Sequence, residues 1–146
     1  VQQADRSKWK VVKCSSDEPG DGPAKGIIDG NPSTFWHSKW QGTPATYPHH
    51  IVIDFAKTTK IGGVTYLPRQ DQTNGQVGKC EIYLSNDGKT WGKPVAKGKF
   101  PKNSKLRTIK LKKTATARYM KFVAISPAIA GQAWAAVAEL NIIPGK

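Results

Sequence analysis

Apolar residues recur at every second position along this chain rather than at the three-to-four spacing of a helix. Ile51, Ile53 and Phe55 point one way and His50 and Asp54 the other, while Ile109 and Leu111 face inward where Lys110 and Lys112 face water. This alternation predicts strands over WKVVKC, HHIVIDF, IGGVTYLPR, KCEIYLS, LRTIKLKK, ARYMKFVAIS and WAAVAELNIIP. Turn chemistry separates them in DEPGDGP, DGNPS, QDQTNG, SNDGKTWGKP and FPKNSK, where Gly, Pro, Asn and Asp supply the backbone angles of tight corners. No long amphipathic helix, internal repeat or low-complexity linker is visible. Many short strands at this spacing predict an all-β fold, an antiparallel β-sandwich.

A chain of 146 residues is read as one domain over 1–146, with enough length for a core of its own. It opens on Val1 without a leader, which reads as a domain processed or excised from a larger protein. The net charge of +13 favours an anionic partner and says nothing about fold. Its densest part, Lys97, Lys99, Lys102, Lys105, Arg107, Lys110, Lys112 and Lys113, reads either as a solvated face or as a contact for acidic polysaccharide or an anionic surface. Nucleic acid is disfavoured, because the aromatic residues are not interleaved with the lysines as a stacking groove requires. No apolar run approaches membrane-spanning length, and no apolar loop tip is present for membrane insertion. Cys14 and Cys80 could pair, but Cys80 alternates with Ile82 and Leu84 and reads as a buried, inert thiol. Enzymatic motifs are missing: there is no G-x-S-x-G elbow, no H-E-x-x-H and no phosphate-binding glycine loop.

One loop carries the densest candidate chemistry. In IIDGNPSTFWHSKW, Asp29, Asn31 and Thr34 offer side-chain oxygens at i, i+2 and i+5, with Gly26 and its neighbours adding carbonyls. Hard oxygen donors in that number suit Ca²⁺, although the plain alternative is an Asx-turn closed by Asp29 on its own backbone. Glu139, in the otherwise apolar AAVAEL, is a charge in need of a partner and could supply a closing carboxylate.

The segments AKGIIDGNPSTFWHSKW, YPHHIVIDF, IGGVTYLPRQ, EIYLSNDGKTW, RYMKFVAIS and VAELNI occur in that order. Together they resemble the coagulation-factor 5/8 type C, or discoidin-like, domain, and within it the bacterial family-32 carbohydrate-binding modules. The resemblance implies a jelly-roll β-sandwich, galactose-binding-domain-like, with a structural Ca²⁺ and a sugar site on the loops at one end. By position it implies calcium ligands from the Gly26 carbonyl, Asp29, Asn31, Thr34, the Ala138 carbonyl and Glu139. It likewise implies a sugar site of His37, Trp40, Arg69 and Asn74.

Each of those residue types suits such a task. Trp40 offers an apolar face to a pyranose, Arg69 a rigid donor fork, His37 a single donor or acceptor, and Asn74 both at once. Core burial of Trp40 is the rival reading. Trp134 reads as core or as a second aromatic wall, and Glu18 or Asp21 as an added acceptor. Phe35 and Trp36 read as core behind the loop, and Trp91, in the Asp-box-like SNDGKTW, as part of a hairpin turn. The function implied is a non-catalytic module, monomeric and tethered to a glycoside hydrolase or similar enzyme. It would recognise galactose, N-acetylgalactosamine or glycans bearing them, in a secreted, periplasmic or cell-surface bacterial setting.

Overall fold

The computed structural model describes residues 4–146; Val1, on which the reading of an excised domain rests in part, lies outside the described residues. Among the described residues the chain forms seven strands and one short 3-10 helix, Ala24–Ile28. The strands are β1 (Lys10–Cys14), β2 (Trp36–His37), β3 (His49–Pro68), β4 (Val77–Ser85), β5 (Ala96–Lys99), β6 (Arg107–Pro127) and β7 (Ala136–Pro144). All pairings are antiparallel, in the order β2-β7-β3-β6-β4-β5, with β1 added on β3.

Two predicted pairs of strands turn out to be single long ones. HHIVIDF and IGGVTYLPR are the two ends of β3, and LRTIKLKK and ARYMKFVAIS the two ends of β6. Each end serves a different layer of the jelly-roll sandwich. The first part of β3 pairs with β1 and the second with β7, while β6 runs beside both parts. The change of layer falls where the β3–β6 register slips between Asp54 and Thr59. Ala56 sits there with φ 70, a left-handed conformation unusual for a residue with a Cβ. Asp54 braces the kink: its Oδ1 accepts from the Ala56 amide at 2.7 Å, and Arg118 grips the same carboxylate at 3.0 and 3.1 Å.

Most of the predicted inward positions are the core, Leu84 being half-buried against it instead. Ile51, Ile53, Phe55, Ile82, Ile109, Met120, Phe122, Leu140 and Ile142 are all buried, and Trp9 packs at a tilt on Phe55 with ring centroids 4.7 Å apart. Burying each such aliphatic or aromatic side chain contributes about 1.5–3 kcal/mol, which is what holds two layers together without a helix. Cys14 and Cys80 are both free, and burial pushes the Cys80 thiol up to about 12, as an inert core group requires. β5 and the two-residue β2 were not predicted, because AKGK has no apolar pattern and WH is too short to show a period.

The kink at Ala56 yields a direct test. Ala56 is exposed, so packing does not confound substitution there. Ala56→Gly is expected to leave thermal stability unchanged or raise it by up to about 1 kcal/mol, and Ala56→Val to lower it by more than that. Thermal unfolding of the two variants measures this, and a valine tolerated as well as glycine would contradict the strained kink.

Candidate functional site

The site begins with two residues of β2. Trp36 and His37 pair with Val137 and Ala136 of β7, so their side chains point to opposite faces. Trp36 is fully buried, its indole Nε1 donating to the Ser16 carbonyl at 2.9 Å. His37 faces the other way, into an open cleft of ≈ 380 Å³ that it lines with Asp21, Trp40, Arg69, Gln72, Asn74 and Trp134. Gly22 lets the chains meet here, because a Cβ at that position would fall 2.5 Å from the His37 amide nitrogen. The His37 amide donates to the Gly22 carbonyl at 2.9 Å, and the His37 carbonyl accepts from the Glu18 amide at 3.0 Å.

Donors and acceptors in the cleft are oriented by neighbours that do not enter it. His37 Nδ1 lies 2.6 Å from the Ser38 carbonyl and, as the donor in that bond, leaves Nε2 as an acceptor. Burial, against the help of that bond, holds the His37 pKa below its ordinary value, so the ring is neutral at pH 7. Arg69 is flattened on Phe35, its guanidinium carbon 4.0 Å from the ring centroid. Asp71 takes Nε at 2.6 Å and Nη2 at 3.2 Å. One edge of the fork is therefore committed to Asp71, and the outer Nη1/Nη2 end is what remains for a ligand. Phe35, expected as core, is this half-buried support instead. Asn74 Oδ1 accepts from Gln132 Nε2 at 3.5 Å, and Gln132 Oε1 accepts from the Gly75 amide at 3.0 Å.

Trp40 is 42% exposed, which removes its reading as core. Its ring is nevertheless held, with Nε1 donating to Asp21 Oδ2 at 3.1 Å. Trp134 is half-buried and lines the cleft opposite the core, its carbonyl tied to the Tyr47 hydroxyl at 3.1 Å. Glu18 corrects the sequence reading. It is buried outside the cleft, and its Oε1 collects the amides of Trp40 at 2.8 Å and Gln41 at 2.7 Å. Those amides hold its carboxyl below the usual range. Glu18 thus caps the loop that presents Trp40, and Asp21 is the acidic residue that lines the cleft.

The oxygen-rich loop runs between the 3-10 helix and β2. Asp29 Oδ1 accepts the Asn31 amide at 2.9 Å, Asp29 Oδ2 and the Thr34 hydroxyl are hydrogen-bonded, and the same hydroxyl reaches the Asn31 carbonyl at 3.0 Å. Gly26 lies in the 3-10 helix that leads into it. Glu139 approaches from β7: burial first, and the Asp29 charge as well, raise its pKa. Its Oε1 accepts from Arg6 Nη2 at 2.9 Å, whereas its buried Oε2 has no partner among the described residues. Ala138 falls where the β3–β7 pairing steps from Glu139 to Val137, off the regular ladder. Among the described residues no three His, Cys, Asp or Glu side chains converge, so any cation here would rely on two carboxylates plus neutral oxygens. Arg6, Asp71 and Gln132 were missed in the sequence: Arg6 and Gln132 act through partners far along the chain, and Asp71, two residues from Arg69, acts by aiming a fork whose direction the sequence does not show.

Comparison with known proteins bears on this geometry. The family model for the F5/8 type C domain matches residues 11–140. A sialidase of Micromonospora viridifaciens is 41% identical over 141 residues, covering 94% of this chain and 22% of its own length. A Clostridium perfringens module solved in complex with GalNAc-beta-1,3-galactose superposes with a TM-score of 0.86 at 30% identity, covering 94% of this chain and 96% of its own. The family 32 module of Clostridium perfringens NanJ, solved in complex with galactose, gives 0.82 at 31% identity, covering 94% of each chain. The chain spans about a fifth or less of the length of the curated relatives it matches. No helix among the described residues is long and apolar enough to cross a membrane.

The capping role of Glu18 predicts a local effect. Glu18→Ala is expected to speed hydrogen exchange of the Trp40 and Gln41 amides by at least about tenfold, with Glu18→Gln intermediate. Amide exchange by NMR reads this directly, and unchanged protection in Glu18→Ala would remove the cap.

Proposed function

The chain belongs to the F5/8 type C domain family, and we propose that it is a non-catalytic carbohydrate-binding module for galactose-type sugars: galactose, N-acetylgalactosamine or glycans ending in them. The observation that carries this reading is the exposed, immobilised Trp40 ring, set beside the His37 acceptor, the free end of the Arg69 fork and Asn74. The ring would take the apolar C–H face of a pyranose, while Arg69 donates to vicinal hydroxyls and His37 Nε2 accepts from one of them. Trp134 would form a second wall. The sugars held in the two Clostridium perfringens structures agree with this choice.

Hydrolysis needs two carboxyl groups flanking the scissile bond. Among the described residues the cleft is lined by one carboxylate, Asp21, already bonded to Trp40, which supports a binding role. The module would be one part of a longer, secreted or surface-bound carbohydrate-active protein, its work being to hold that protein on glycans. Calcium belongs to the same proposal. Asp29, Asn31, Thr34 and Glu139, with the carbonyls of Gly26 and Ala138, would hold the ion. The unpartnered Glu139 Oε2 fits a cation, as does the mutual repulsion of Asp29 and Glu139. When bound, the ion would neutralise those two carboxylates and tie the loop before β2 to β7.

Two tests follow. A shallow site with one ring and a few wet hydrogen bonds is expected to bind galactose with a Kd of about 0.1–1 mM, roughly −4 to −5.5 kcal/mol. In calorimetric or NMR titration Trp40→Ala and Arg69→Ala should each lose at least about tenfold, while Lys110→Ala/Lys112→Ala binds as the parent does. Galactose-type sugars bound equally well by both site variants would put the site elsewhere. Calcium at a hundredfold excess over its Kd should stabilise the fold by about 2.7 kcal/mol over the chelated protein, and Glu139→Ala should abolish the difference. Identical melting curves with calcium and after prolonged EDTA treatment would remove the ion.

A further inference from the structure

The outer face of the layer built from β1, β3, β6 and β4 carries a row of four residues. Lys13 pairs with Val52, Val52 with Lys121, and Lys121 with Tyr83, so all four share one face, opposite that of the core residues Ile51 and Ile53. The turn between β4 and β5 folds over this row. Asp87 ties that turn: its Oδ1 accepts the amides of Lys89 and Thr90, both at 2.8 Å, and the Ser85 hydroxyl at 2.8 Å. Gly88, with φ 74, lies against the ring of Tyr119. The Asp-box-like sequence thereby delivers Trp91 to the rim of a groove of ≈ 470 Å³ lined by Lys13, His50, Val52, Lys89, Trp91 and Lys121, among others.

The groove gathers cations around apolar surface without a counter-charge. Lys121 Nζ lies 4.9 Å from the ring centroids of both Tyr83 and Trp91, which hold the ammonium in place. Among the described residues no carboxylate lines it, and the nearby ones are engaged: Asp54 by Arg118, Glu81 by the Tyr83 hydroxyl, and Asp87 by its own turn. Lys13, Lys89 and Lys121 make no ion pair among the described residues. Burial and the charge of Lys13 hold the Lys121 ammonium below its ordinary pKa. Burial, Lys13 and Lys121 do the same to His50. A bound anion would relieve that repulsion.

We propose that this groove is a second binding surface, separate from the loop-end cleft, for an acidic polysaccharide whose sugar rings carry carboxylates. Lys13, Lys89 and Lys121 take the uronate carboxylates, and the exposed Val12, which also lines the groove, meets the apolar ring faces together with the Trp91 edge. Scale agrees: Lys13 and Lys121 stand two strands apart, roughly 10 Å between backbones, with the buried Val52 as the floor between them. A polyuronate alternates charge and apolar ring face along its length in the same way. A nucleic acid would want an open aromatic platform, whereas the Trp91 ring is shared with the Lys121 ammonium. The Lys97–Lys113 stretch singled out in the sequence is built differently: Lys97 lies 3.8 Å from Glu81, and its one cation over an aromatic ring among the described residues is Arg107 on Phe100, at 5.3 Å, with Nη2 already donating to the Pro101 and Asn103 carbonyls. The inference is independent of the sugar chosen for the loop-end cleft.

A galacturonate trimer titrated into the protein and followed by NMR is the test. The Trp91 indole N–H should shift on binding, and Lys13→Gln/Lys89→Gln, both exposed positions where folding is not at stake, should weaken binding by about tenfold. Lys110→Gln/Lys112→Gln, which removes equal charge elsewhere, and Trp40→Ala should bind the trimer as the parent does. Galactose titration should be unaffected by the groove variant. Equal weakening by both lysine pairs would mean diffuse charge only, and loss in Trp40→Ala would mean the trimer uses the loop-end cleft. Tighter binding in the groove of an oligothymidylate, or of phosphatidylserine vesicles, would assign it to another class of partner; each of these results overturns the proposal.

Discussion

Alternation over two residues sets up the rest of the molecule's recognition end. Trp36 and His37 are adjacent, so pairing with β7 sends one side chain into the core and the other into the cleft. The buried indole cannot shift without opening the core, and His37 therefore cannot shift either. Ser38 extends the same clamp, its amide bonded to the Ala135 carbonyl at 2.9 Å and its hydroxyl accepting the Ala135 amide at 2.9 Å. Trp134, next to Ala135, is fixed by the same pair of bonds. Two walls of the cleft are thus registered on one short strand, and the core supplies the free energy that keeps them in place.

Charge follows a second economy. The chain has 10 acidic residues against 23 basic ones, and the acidic side chains are occupied with structure. Asp54 braces the kink in β3, Asp71 aims Arg69, Glu18 caps the Trp40 loop, Asp87 closes a turn and Asp17 receives the Ala24 amide at 3.0 Å. The positive potential follows from that excess of basic residues, and the braces fix where the few negative charges sit. Such a field draws anions from a distance at low ionic strength and fades with salt, whereas a hydroxyl-reading site is nearly indifferent to salt. The two modes of attraction are therefore separable within one domain.

What the sequence disclosed and what it concealed divide along physical lines. Period-two alternation marks half-buried strands because the pleat enforces it, and Ile51 to Phe55 and Ile109 to Leu111 were readable for that reason. The continuity of β3 through AKTT was hidden, since Ala56 adopts a left-handed angle that alanine gives no sign of accepting. β5 was hidden because an edge strand of lysine, glycine and alanine has no buried face to advertise. His37, Trp40, Arg69 and Asn74 meet in one cleft. Glu18 and Asp21 could not be told apart, because two loop carboxylates three residues apart differ only in which backbone amides they find. Lys121 and Trp91 were separated by 30 positions, and only the fold over of a turn brings them together.

The cleft's lining comes from separate loops: Asp21 and Trp40 flank β2, Arg69 to Asn74 follow β3, and Trp134 precedes β7. Each of these loops is anchored at its base by main-chain bonds, such as the Ala136 amide on the Gly75 carbonyl at 2.9 Å, that do not depend on the residue at its tip. Mutation at one tip can accordingly alter ligand preference without refolding the sandwich or disturbing the other tips. A lineage carrying this domain could diversify its glycan repertoire in single steps, each small enough for selection to keep.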